Sequence, residues 1–94
     1  LVTGGRAYFP DAVTSRGLKH LTELKRLLSG GSRCVMFYLI QRMDAEVFKP
    51  ADHIDPAYGK ALREAFLAGV EILVYDVIIN LEKITLGKKI PCVL

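Results

Sequence analysis

Cys34-Val35-Met36-Phe37-Tyr38-Leu39-Ile40 is the longest unbroken apolar run in the chain. Odd and even positions are equally apolar, so a strand built from it has no face to give to water, and Val35 and Phe37 add β propensity. The run predicts a central strand over 34–41. It is far shorter than the ~20 residues that a transmembrane helix requires, so no such helix is expected. Upstream, Leu18, Leu21, Leu24, Leu27 and Leu28 recur at helical spacing before Gly30-Gly31, which predicts an amphipathic helix over 14–29. Downstream, Arg42–Ile54 is polar, broken by Pro50, and reads as a loop.

Asp55-Pro56 then supplies an N-cap and a proline at the first helical position, ahead of an apolar side made by Tyr58, Ala61, Leu62, Ala65 and Phe66; Gly69 ends this helix. Val70–Ile79 is a second interior strand, and Asn80-Leu81-Glu82-Lys83 turns into a short strand at Ile84–Leu86. The alternation predicts an α/β domain, a mixed sheet flanked by helices. Its expected core is Leu21, Leu24, Leu28, Val35, Phe37, Leu39, Ile72 and Val74. Leu1-Val2-Thr3 reads as the tail of a strand, with Gly4-Gly5 as the turn after it. With neither an initiator Met nor the zones of a signal peptide, the chain reads as a fragment of a longer domain. An apolar sheet edge should then be exposed, or covered by a second copy in a homodimer.

Ninety-four residues make one domain, and 51% apolar with 24% charged residues is the balance of a folded chain. Two cysteines, Cys34 and Cys92, are too few for a disulfide framework and fit a reducing compartment. Cys34, at the head of an apolar strand, reads as a buried inert thiol. The net charge of +3 is unevenly spread. Residues 1–33 carry Arg6, Arg16, Lys19, Lys25, Arg26 and Arg33 against Asp11 and Glu23, whereas 34–79 is acidic on balance. A basic first third suits either a polyanion or a solvated helix face.

On a helical wheel of about 100° per residue, the apolar arc of the first helix runs from Leu27 to Leu18, with His20 inside it and Arg16 just beyond. Arg16 and His20 are four apart and stack on one face beside Glu23, with Gly17 between them allowing a close approach. Such a rim suits a polar group held at the margin of a site, and equally a half-buried histidine whose role is packing.

Phe9-Pro10-Asp11-Ala12-Val13-Thr14, Arg16-Gly17 and Lys19-His20-Leu21 closely resemble the signature of the sugar fermentation stimulation protein A family. The resemblance continues through Gln41-Arg42, Asp44-Ala45, Phe48, Pro50-Ala51-Asp52, Ile54-Asp55-Pro56 and Gly69-Val70-Glu71-Ile72, in order and over nearly the whole chain. It implies a prokaryotic, cytoplasmic, DNA-binding protein linked to transcription regulation of sugar (maltose) metabolism. The implied architecture is an OB-like N-terminal domain followed by a restriction-endonuclease-like, or PD-(D/E)xK-like, domain. This chain would be the C-terminal part of the second, with the OB-like domain, the first strands and the metal carboxylates all upstream of Leu1. Pro10-Asp11 is therefore not the nuclease Pro-Asp. By the same resemblance, Arg16 and His20 support the metal site and the scissile phosphate, Lys19 suits a backbone phosphate, and Gln41 and Arg42 join the rim at the next strand end.

Three functions stay open on the sequence: a DNA-binding regulator on a nuclease-like domain, a metal-dependent DNA nuclease using Mg²⁺ or Mn²⁺ in the full-length protein, and a structural interdomain module. No cofactor or metal is expected in the fragment itself. Asp52-His53-Ile54-Asp55 matches no closed zinc or EF-hand pattern and gives Asp55 to the helix cap; Gly4-Gly5 and Gly30-Gly31 match no phosphate loop. Ser15, Ser29 and Ser32 lie in no nucleophile elbow.

Overall fold

Both helices begin where a side-chain oxygen takes the first free backbone amides. Thr14 Oγ1 accepts the Gly17 N–H at 3.0 Å and opens α1 (Ser15–Ser29), and Asp55 Oδ1 accepts the Tyr58 N–H at 3.0 Å and opens α2 (Pro56–Ala68). Pro56 sits in the first turn, where its missing N–H costs nothing, and Gly69 ends α2 in the left-handed conformation at φ 117°. The structure, a computed structural model, describes residues 2–41 and 44–94.

The strands are β1 (Val2–Thr3), β2 (Arg6–Phe9), β3 (Val35–Ile40), β4 (Val47–Pro50), β5 (Glu71–Ile79) and β6 (Ile84–Lys89). They form two three-stranded mixed sheets, β1-β2-β4 and β3-β5-β6. Gly4 and Gly5, both at positive φ, turn β1 into antiparallel β2, which runs parallel to β4 with Tyr8 beside Lys49. β3 and β5 are parallel, with Tyr38 beside Val74, and β6 returns antiparallel to β5. The C-terminal residues stitch the sheets together. Phe48 N–H donates to Pro91 O at 2.9 Å, Val93 N–H to Phe48 O at 2.8 Å, and Ile90 N–H to Val74 O at 2.8 Å.

α1 and α2 pack against each other and cover one face of β3-β5-β6. Leu21, Phe48, Tyr58, Leu62, Val70, Val74 and Ile90 are the largest side chains fully enclosed there. Tyr38 and Tyr58 share a hydroxyl–hydroxyl hydrogen bond of 2.5 Å inside a ring cluster with Phe9 and Phe48. Burial pushes both phenols above their ordinary range, so each stays neutral and able to donate.

The α/β architecture, both helices and the interior position of Leu21 and Val74 match the sequence expectation; Leu24, Leu28 and Ile72 are partly buried against the same core. Four expectations change. Val47–Pro50 is a strand and not loop, because tertiary pairing to β2 outweighs its short length, and Pro50 ends the strand where its missing N–H is harmless. The short final strand extends from Ile84 to Lys89. Val35, Phe37 and Leu39 point away from the helices, with Phe37 46% and Leu39 53% exposed, because both helices lie over the even-numbered face of β3. The strand at 34–41, expected to be central, lies at the edge of its sheet in the order β3-β5-β6, because β5 takes the middle place between β3 and β6, so the exposed apolar surface includes a sheet edge and continues over the face through Ile79, Ile84 and Leu86.

Burial separates two truncations that the sequence treats alike. Leu21→Ala should cost about 2–5 kcal/mol, and Phe37→Ala, which removes a ring stack on Tyr75, about 1 kcal/mol; equal shifts in urea midpoints would contradict this placement. The tyrosine pair gives a sharper expectation. Tyr58→Phe strands the buried Tyr38 hydroxyl at a cost of about 1–3 kcal/mol, whereas adding Tyr38→Phe removes the stranded group and should recover part of the loss. Chemical denaturation of both single variants and the double variant measures it.

Candidate polyanion-facing site

α1 joins β3 through a short turn and runs antiparallel to it, and α2 runs antiparallel to β5 in the same way. Both helix N-termini therefore lie at the carboxyl end of the parallel β3/β5 pair. The Tyr38–Tyr58 bond, between the fourth residue of β3 and the first turn of α2, fixes that placement. Ligand sites of open α/β sheets form at this end of the strands.

The Asp55 carboxylate joins the two helix starts. While Oδ1 caps α2, Oδ2 accepts the Thr14 N–H at 2.9 Å, across 41 residues of sequence, and Asp55 is only 5% exposed. Gly17 completes the junction. A Cβ at that position would lie 2.9 Å from both Thr14 Cγ2 and Tyr58 Cε2, closer than van der Waals contact permits. The glycine that the sequence suggested leaves room for a ligand leaves room for the Tyr58 ring.

Arg16, Lys19 and His20 stand on the first two turns of α1, all exposed. Arg16 and His20 lie four apart within α1 and so share one side of it. His20 does not lie inside the buried arc, because Leu27 is itself exposed and the buried side of α1 stops at Leu24. Among the described residues no ion pair engages Arg16 or Lys19. Glu23 does not serve them: it bonds Arg26 through Nε at 3.0 Å and through a second guanidinium nitrogen, and that bond holds its carboxyl below the usual range. Gln41 follows the last residue of β3, exposed and at the same end of the domain, with no hydrogen bond to α1. Arg42 lies outside the described residues.

The rim can offer two cations and an imidazole to an oxyanion, at a place where neighbouring carboxylates are occupied by other partners. The described residues do not fit a resident metal: no three of His, Cys, Asp or Glu come together to hold one. Asp52 is paired with Arg63, and Asp55 with the two helix amides. The ring cluster beneath the junction had a sequence signal, tyrosines at apolar positions of a strand and a helix, which periodicity alone does not distinguish from ordinary core. No described helix is long and apolar enough to cross a membrane.

Comparison with known proteins places this geometry in a family. Residues 1–83 match the model of the sugar fermentation stimulation protein RE domain. The sugar fermentation stimulation protein homolog of Pelobacter propionicus is 52% identical over 94 residues, covering 100% of this chain and 41% of that protein. The homologs of Geobacter sulfurreducens and Pseudomonas aeruginosa are 50% and 52% identical, over 97% and 90% of this chain and 39% and 36% of their own length. The structure of Pyrococcus furiosus SfsA in complex with Ca²⁺ superimposes with a TM-score of 0.92 at 29% identity, covering 100% of this chain and 41% of that one. The chain thus spans about two fifths of the length of the first of these relatives. With the signature residues, the fold and the domain match in agreement, the chain belongs to the sugar fermentation stimulation protein family.

Proposed function

We propose that this chain is the polynucleotide-facing part of a cytoplasmic DNA-binding protein that regulates sugar (maltose) metabolism, built on a nuclease-like domain. The observation that carries the reading is the row Arg16, Lys19 and His20, exposed and unneutralised, at the end of the sheet where both helices begin. Phosphates are bound chiefly by side chains such as these. Among the described residues neither a helix-turn-helix nor a zinc finger accompanies them, so binding reads backbone charge more than base sequence. Gln41 extends the rim by resemblance, as does Arg42.

A second reading has one observation in its favour: the Pyrococcus relative was solved with Ca²⁺, a cation that takes oxygen ligands. On that reading the intact protein is a Mg²⁺- or Mn²⁺-dependent nuclease whose metal carboxylates lie upstream of this chain. Arg16 and His20 would then face the scissile phosphate as positioning residues. No catalytic step is assigned to the residues described here. Retention of the supercoiled form by plasmid DNA, with and without Mn²⁺, separates the readings, because a regulator leaves the plasmid supercoiled and a nuclease converts it to the nicked or linear form.

The binding test is a salt titration of duplex affinity in the intact protein. Affinity should fall steeply with salt, and Arg16→Ala and Lys19→Ala should each reduce the log–log slope by about 1. The loss should be similar for unrelated duplex sequences. His20→Ala, now placed outside the core, should leave circular dichroism and thermal midpoint near wild type. Unchanged slopes in folded Arg16 and Lys19 variants would overturn the proposal and turn this surface into a contact with another part of the protein.

A further inference from the structure

A second polar constellation lies away from the α1 rim, and neither the sequence signature nor the reading above uses it. Tyr8 on β2 and Lys49 on β4 are register partners, so their side chains leave the same face of the β1-β2-β4 sheet. The His53 ring meets Tyr8 edge to face, with centroids 5.2 Å apart. Arg63 reaches over from α2 and grips Asp52 through two parallel bonds of 2.9 and 2.6 Å. Together with Pro50 and Leu94, these residues line a cleft of about 300 Å³.

The cleft is fixed by packing. A Cβ on Gly59 would stand 1.9 Å from Asp52 Oδ1, so the carboxylate lies directly on the α2 backbone and Arg63 is aligned by it. Arg63, and to a lesser degree His53 and Lys49, hold the Asp52 carboxyl below its usual range, which places all three within electrostatic reach of that carboxylate. Asp52 is satisfied by Arg63. Lys49 has no ion-pair partner among the described residues. Its free donors are the Lys49 ammonium, the Tyr8 hydroxyl, the imidazole N–H and the remaining guanidinium hydrogens.

This set suits a tetrahedral oxyanion, and the volume exceeds what an oxyanion alone would fill, being at the small end of organic ligand sites, about 300–1,000 Å³. Pro50, Leu94 and the two rings supply an apolar, aromatic wall for the group attached to it. We propose that the Tyr8/Lys49/His53/Arg63 cleft binds one nucleoside phosphate, its phosphate on Lys49 and Arg63 and its base against the aromatic wall. That unit comes either as a free nucleotide or within a polynucleotide strand. The strand-borne form rests on the DNA-binding reading; the free form does not.

Amide chemical shifts of the intact protein, titrated separately with thymidine 5′-monophosphate, thymidine and a ten-residue oligothymidylate, test it. The monophosphate, the oligonucleotide, or both should move the Tyr8, Lys49 and His53 signals, and thymidine should not. Lys49→Gln should weaken that response by about tenfold, the loss of one charge-assisted bond, and Lys49→Arg should restore it. Arg16→Ala and Lys19→Ala should leave the monophosphate response unchanged, so failure of the α1 surface and failure of the cleft are distinguishable. A response to monophosphate alone assigns a free nucleotide, and a response to the oligonucleotide alone assigns a strand. Silence of the three signals with both probes, or a response that Lys49→Gln leaves intact in a folded protein, overturns the proposal.

Discussion

The end of this domain where both helices begin depends on one carboxylate. Asp55 receives the Tyr58 amide at 3.0 Å and the Thr14 amide at 2.9 Å, so a single buried side chain ends the loop before α2 and docks the start of α1 upon it. The arrangement is favoured electrostatically, because the positive ends of two helix dipoles meet around one negative group. It also settles how an external anion can be bound there. The Asp55 carboxylate and the Thr14 hydroxyl occupy the junction amides at Thr14, Gly17 and Tyr58, so those three donors are not offered to an external anion.

The same junction explains what the sequence could reveal. Asp55-Pro56 announces a helix start through local chemistry alone, and α2 begins there. Leu18 to Leu28 announce an amphipathic helix through period, and α1 spans it. Local signals cannot report a partner 41 residues away, so the second bond of Asp55 and the reason for Gly17 were hidden. β4 was hidden for the same reason: four residues ending in proline become a strand only because β2 lies alongside.

The odd face of β3 shows a different limit. A strand apolar on both sides implies cover on both sides, yet here the helices cover only one, and Phe37 stacks on Tyr75 in the open. The apolar reading of Val35, Phe37 and Leu39 was chemically sound; their assignment to the buried core was not.

Charge illustrates why a one-dimensional map overstates a basic surface. Of the six cations that make the first third basic, Lys25 pairs with Glu64 at 3.4 Å, Arg33 with Glu71 at 2.5 Å, and Arg26 with Glu23. Two of those three acids come from the acidic remainder of the chain, brought across by α2 and β5. These pairs are exposed and add little stability, but each cancels the local field that a phosphate would feel. What survives at the helix junction is Arg16 and Lys19, and at the cleft Lys49, beside an Arg63 aligned by Asp52. The positive charge this domain offers to a solute is therefore set by a few cations that folding leaves uncompensated, at positions fixed by packing, and not by its net charge of +3.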